Sequence, residues 1–220
     1  MQFTVKACGI QTHNEAEMAI DAGVDYLGFL IGLTHKAEDK TTAGTTAEII
    51  KNLPGHVTPV MVTHLLDPEE IFVLAEKAGV RAIQIHDDLP CEGIRHLRSK
   101  LPDITLIKAV HVQSSEAIEK AHQYSQMPEL DIILLDSRTP DRLGGTGLTH
   151  DWDISREIVQ KSKKPVWLAG GLTPDNVQEA VRKVLPAGVD ANSGLEGPDG
   201  IKSEEKLKAF VLNARKGATK

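Results

Sequence analysis

The sequence predicts an α/β fold, a single (βα)8 barrel of the TIM type spanning residues 1–220. Short β-branched or apolar runs alternate with helical patterns along the whole chain. Most of those runs are almost continuously apolar, as parallel strands covered on both faces must be. The 220 residues, shared among eight such units, allow about 27 each, near the roughly 200-residue lower bound of closed barrels. Strict alternation of strand and helix implies a parallel sheet with right-handed crossovers.

The expected strands are Phe3–Ala7, Tyr26–Ile31, Val57–Val62, Ala82–Ile85, Ile104–Ala109, Asp131–Leu135, Pro165–Ala169 and Gly188–Ala191. After the first, Thr12-His13-Asn14-Glu15 is a capping box ahead of an Ala/Ile-rich run. Asp67-Pro68-Glu69-Glu70 supplies a cap, a proline at the first helical position and acids in the first turn. Thr173-Pro174-Asp175-Asn176 repeats that design, and Ser114 and Ser203 are expected caps. Gly23 and Gly79 stand where helices should stop before the next strand. An open dinucleotide-binding sheet would need Gly-x-Gly-x-x-Gly after its first strand. The junction here reads Cys8-Gly9-Ile10-Gln11, so the closed barrel is preferred.

Composition narrows the function. The charge sum of 25 basic and 31 acidic residues is −6, which argues against a general nucleic-acid surface. An anionic ligand must then be held by local donors working against the global field. Two cysteines imply a reducing compartment rather than a disulfide framework. The first residues lack a basic segment followed by a long apolar run, so no signal peptide is expected. No apolar stretch approaches membrane-spanning length. A cytoplasmic enzyme or binding protein with no membrane partner is the expectation, and the sequence leaves its oligomeric state open.

In a barrel of this kind the ligand sits over the C-terminal ends of the strands. Those positions hold Cys8, Gln84 and His86, Lys108, Asp136, Gly170-Gly171 and Asn192-Ser193-Gly194. Together with Gly144-Gly145-Thr146-Gly147 after the sixth strand, the glycine-containing turns can aim backbone N–H groups at an anion. Any one of them could simply be a tight turn; three converging near the usual phosphate site point to a phosphorylated ligand. Asp136 emerges from Ile132-Ile133-Leu134-Leu135 at the pocket mouth, a setting suited to a general acid. The bland reading is a carboxylate capping a neighbouring loop. Cys8 holds the corresponding place on the first strand and can act as a base if a nearby cation favours its thiolate. Packing is the bland reading of a cysteine in a strand. The nine histidines show no metal-ligand spacing, so no metal site is expected.

These strand ends carry a family resemblance. Val5-Lys6-Ala7-Cys8-Gly9-Ile10, Asp25-Tyr26-Leu27-Gly28-Phe29, Ile83-Gln84-Ile85-His86 and Leu134-Leu135-Asp136 occur in order. So do Gly144-Gly145-Thr146-Gly147, Asp151-Trp152, Leu168-Ala169-Gly170-Gly171-Leu172, Asn176-Val177 and the segment from Asp190 to Glu196. The chain resembles the phosphoribosylanthranilate isomerases of tryptophan biosynthesis. The resemblance implies an Amadori rearrangement without metal or organic cofactor. It implies Asp136 as general acid at the furanose ring oxygen and Cys8 as general base at sugar C2. It places the substrate phosphate on Gly145, Gly171, Ser193 and Gly194.

The sequence departs from the family after the second strand, where a Ser-Pro-Arg segment is usual and its arginine faces the anthranilate carboxylate. The region here, Gly32 to Thr42, has neither Pro nor Arg. Lys36, Lys40, Arg138 or Arg142 is then expected to supply the charge, with Gln84, His86 and Lys108 as further substrate contacts. A lysine does not reproduce bidentate pairing with a carboxylate. Asp87-Asp88 after His86, and Asn192 where Ser is usual, are further departures. The alternatives are a related phosphosugar isomerase with another aglycone, or a barrel that binds a phosphorylated ligand without turnover.

Overall fold

The computed structural model describes residues 3–33, 39–137 and 150–219. Its strands are β1 (Thr4–Ala7), β2 (Tyr26–Leu30), β3 (Thr58–Thr63), β4 (Ala82–Ile85), β5 (Thr105–His111), β6 (Ile132–Asp136), β7 (Val166–Leu168) and β8 (Gly188–Ala191). All pair in parallel and in chain order, and β8 closes on β1, so the fold is a (βα)8 TIM barrel. The helices are α1 (His13–Asp21), α2 (Ala43–Ile50), α3 (Pro68–Ala78), α4 (Cys91–Lys100), α5 (Glu116–Ser125), α6 (Trp152–Lys161), α7 (Val177–Val184) and α8 (Glu204–Ala218). A 3₁₀ turn, Ser193–Leu195, follows β8.

Local chemistry accounts for most helix ends. The Thr12 hydroxyl accepts from Glu15 N at 3.2 Å, while the Glu15 carboxylate accepts from Thr12 N at 3.1 Å. Asp67 caps α3 by accepting from Glu69 N, with Pro68 at the first helical position. Gly79 ends α3 in the left-handed region at φ +69°. Ser203 caps α8 by accepting from Lys206 N.

Two helix starts differ from expectation. The helix start expected after Thr173 lies at Val177: the Thr173 carbonyl accepts from Asn176 N and Val177 N in a preceding turn. The α5 start falls at Glu116, where Ser115 is the cap position and its side chain makes no capping bond; Ser114 Oγ accepts from Glu116 N at 3.3 Å. The strands β5 and β6 also run on to His111 and Asp136, which face each other in register.

Pleating alternates the side chains of each strand between helices and barrel interior. On the interior face, Val60 and Val62, Ile107 and Ala109, and Ile132 and Leu134 belong to one buried cluster. The same parity turns His64, His111 and Asp136 inward at the rim. The intervening residues Met61, Leu106, Val110 and Leu135 belong to the larger core under the helices. Among the described residues no helix is long and apolar enough to cross a membrane.

Candidate active site

Cys8 stands at the rim directly beyond β1, with Lys6 two residues before it on the same inward face. Lys6 is fully buried, and its Nζ donates to Asp190 Oδ2 of β8 at 2.7 Å. The carboxylate of Asp190, with the Cys8 sulfur, outweighs burial and raises the Lys6 pKa, so the ammonium is retained. Gly28 of β2 makes room for this group: a Cβ there would lie 2.8 Å from Cys8 Sγ and 3.1 Å from Lys6 Nζ. Burial pushes the Cys8 thiol up to about 11; Lys6 and Lys202 pull it down, while Asp190 and Asp39 push it up. The cation expected beside Cys8 is therefore Lys6, yet the resting group is a thiol.

A polar network closes the β8 side. Asn192 Nδ2 donates to Asp39 Oδ2 at 2.5 Å, tying the β2–α2 loop to the tip of β8. Lys202 Nζ, nearly inaccessible, donates to Asn192 Oδ1 and to Glu196 Oε1, each at 2.7 Å. The loop thus brings a carboxylate, Asp39, to this part of the mouth.

Across the rim, Asp136 Oδ1 accepts from Ser137 N at 2.8 Å, and Oδ2 lies 3.5 Å from His86 Nε2. Burial, reinforced by His111, His64, Lys108 and Lys6, holds the His86 pKa well below its ordinary value. Its imidazole is neutral at pH 7 and offers Asp136 a dipole rather than a full charge. Gln84 is buried and its Nε2 sits 3.3 Å from His86 Nδ1. His64 and His111 flank His86 with ring centroids at 4.6 and 4.9 Å. One donor atom each from His86, His111 and Asp136 lies within 4.8 Å of the others. This grouping departs from the expectation of no metal-ligating cluster. Its members come from three successive strands, so no local spacing announces them.

The loop after β7 and the Ser193-Gly194 turn after β8 meet where Gly194 passes directly against the carbonyl oxygen of Leu172, the residue after Gly171. Asn176 fixes the intervening loop: its Oδ1 accepts from Thr173 N at 2.8 Å and its Nδ2 donates to Gly171 O at 2.9 Å. Lys108 is not part of the site. Lying between inward-facing Ile107 and Ala109, it points to the helix layer, with Nζ 5.0 Å from the Tyr124 ring centre and donating to Ala109 O at 2.6 Å. Burial lowers its pKa to about 8. The substrate contact expected of it is corrected by strand parity. Gly145, Arg138, Arg142 and Lys36 lie outside the described residues. Lys40 is exposed beside the short bridge between residues 30 and 40.

Lys6, Asp190, Asp39, Lys202, His64 and His111 were missed as site residues by sequence reasoning. For Lys6 and Asp190 a signal existed: a charged residue inside an apolar strand, at the pleat position shared with a rim residue. The link from Asp39 to Asn192 spans 153 residues and leaves no local trace.

The family model for N-(5'-phosphoribosyl)anthranilate (PRA) isomerase matches residues 5–213. The chain is 40% identical over 213 residues to N-(5'-phosphoribosyl)anthranilate isomerase 2 of Methanosarcina mazei, covering 96% of this chain and 93% of the relative. The phosphoribosyl anthranilate isomerase of Thermotoga maritima superposes with a TM-score of 0.86 at 32% identity, over 97% of this chain and 99% of that one. A phosphoribosyl anthranilate isomerase solved with reduced 1-(o-carboxyphenylamino)-1-deoxyribulose 5-phosphate gives 0.82 at 29% identity, over 97% and 99% of the two chains. The chain belongs to the N-(5'-phosphoribosyl)anthranilate isomerase family.

Proposed function

We propose that the chain is an aldose–ketose isomerase that converts N-(5'-phosphoribosyl)anthranilate to 1-(o-carboxyphenylamino)-1-deoxyribulose 5-phosphate. The observation that carries the reading is that Cys8 and Asp136 both turn inward at one rim of the barrel, from β1 and β6. Asp136 is the acid. It gives a proton to the furanose ring oxygen as the C1–O bond breaks, and the anthranilate nitrogen lone pair forms the C=N bond of a Schiff base. Cys8 is the base. Its thiolate takes the proton from sugar C2, the electrons pass to nitrogen, and the enolamine tautomerises to the ketone.

The surrounding residues support each step. The Lys6 ammonium beside Cys8 favours the anionic form of its sulfur, opposing the cost of burial. Gly171, Ser193 and Gly194, with Gly145, hold the substrate phosphate through backbone N–H groups. The loop clamped by Asn176 keeps that cradle in place. Gln84 and His86 line the sugar, and Arg138 or Arg142 pairs with the anthranilate carboxylate. The acid–base pair accounts for the reaction without a cofactor.

The test is to generate the substrate in situ and follow loss of its fluorescence. Cys8→Ala and Asp136→Asn are each expected to lower kcat by about 100-fold or more. A folded wild type without turnover sinks the reading, and Cys8→Ala with undiminished turnover removes the base assignment alone. Ligand binding without turnover supports the binding-protein alternative.

A further inference from the structure

The rim between β3 and β6 is unusually rich in imidazole. His64, His86 and His111 follow one another around the mouth and lead to Asp136. The geometry points to a binding site for one divalent transition-metal ion of the zinc, cobalt and nickel class, held by His86 Nε2, His111 Nδ1 and a carboxylate oxygen of Asp136, whose occupancy takes Asp136 out of catalysis. The loss of turnover rests on the reading of Asp136 as the acid; the site itself does not.

The donor chemistry fits that class, since two imidazole nitrogens and one carboxylate oxygen suit zinc and its neighbours. With metal–ligand bonds of about 2.1 Å, tetrahedrally arranged donors lie about 3.4 Å apart. His86 Nε2 and Asp136 Oδ2 are 3.5 Å apart, and one ring nitrogen of His111 lies with one donor atom of each within 4.8 Å.

His111 is also held as a ligating histidine is held. A metal-bound imidazole characteristically donates its other N–H to an oxygen, which fixes its tautomer and orientation. His111 Nε2 lies 3.2 Å from the His86 carbonyl oxygen, so it carries the proton and Nδ1 the lone pair. For His86 the arbiter is Gln84. With the Gln84 amide nitrogen 3.3 Å from Nδ1, the His86 proton sits on Nε2 and faces Asp136. Gln84 Oε1 is buried with no hydrogen-bond partner among the described residues. Turning the amide over brings that oxygen to an Nδ1–H and leaves the Nε2 lone pair directed at the ion. His64 packs against His86 at a 47° tilt and is itself held by Asp87 Oδ2 at 3.1 Å. A carboxylate bound to the ion has no proton to deliver to a ring oxygen.

The experiment titrates chelator-treated protein with Co²⁺, read by its visible d–d bands, and with Zn²⁺, read by calorimetry. Wild type is expected to bind one ion per chain without a sulfur-to-cobalt charge-transfer band. His111→Asn should weaken binding by about 100-fold, and Gln84→Leu by about 10-fold, with circular dichroism confirming both folds. Saturating Zn²⁺ should abolish wild-type turnover, EDTA should restore it, and the same Zn²⁺ should leave the metal-free rate of His111→Asn untouched. No bound ion, or unchanged affinity in His111→Asn, overturns the site. Binding as expected with undiminished turnover keeps the site and overturns the acid role of Asp136.

Discussion

At the scale of single residues, the proposed role of Cys8 as base turns on how its thiol is deprotonated. Burial is the largest influence and raises its pKa to about 11. A base must be unprotonated to act, so below that value the limb of kcat/KM due to Cys8 should climb about tenfold per pH unit. Asp39 is one of the two carboxylates that push the thiol up. Asp39→Asn removes that charge while its amide oxygen can still accept from Asn192. The expected result is a limb displaced by about half a pH unit to lower pH, checked by kcat/KM profiles of both proteins. A limb that stays in place, or moves upward, refutes the coupling. The residue scale is also where the sequence was least legible. Cys8 and Asp136 announce themselves at strand ends, but Asp39 reaches the mouth only through a contact 153 residues away in the chain.

At the scale of elements, the barrel depends on strand ends that can touch. Gly170, at φ +80° after β7, abuts the backbone nitrogen and hydroxyl of Ser137 after β6. Gly170→Ala would both strain the backbone and drive a methyl group into Ser137. A loss of at least about 2 kcal/mol of stability is expected, measured by urea denaturation. Since Ser137 N also donates to Asp136, the same variant should slow turnover. The eight strands were readable because each is an apolar run between turn signals. The C-terminal limits of β1, β4 and β8 were readable too, but that of β5 was not: Val110 and His111 fall beyond the expected end at Ala109, because a rim position replaces an apolar residue with a polar one. The start of α7 was misplaced for a different reason. Thr173-Pro174 has the composition of a cap, but Asn176 bonds back to Thr173 N and Gly171 O, spending those residues on the loop rather than on the helix.

At the scale of the whole molecule, two imidazoles buried in neutral form couple folding to acid. Burial lowers His150 from 6.5 to about 4, with Asp151 opposing, and holds His86 well below 6.5. The unfolded chain binds protons that the folded one refuses, so stability is complete above pH 6.5 and begins to fall below it. The His150 share, on the order of 3 kcal/mol, is lost by about pH 4. His150 is held by Ser137 Oγ at 2.9 Å and Ser155 Oγ at 2.6 Å. Substituting it with Asn should flatten denaturation midpoints between pH 6.5 and 4, and an unchanged acid slope assigns the effect elsewhere.

The Lys6–Asp190 pair, which joins the first strand to the last, also sets a timetable. Its partners are separated by 184 positions. On a ribosome adding about 5–20 residues per second, that is a delay of roughly 10–40 s. Throughout that interval the growing chain carries Lys6 and Cys8 without Asp190 beside them. The buried ion pair beside Cys8 is therefore completed only as the polypeptide nears its C-terminus.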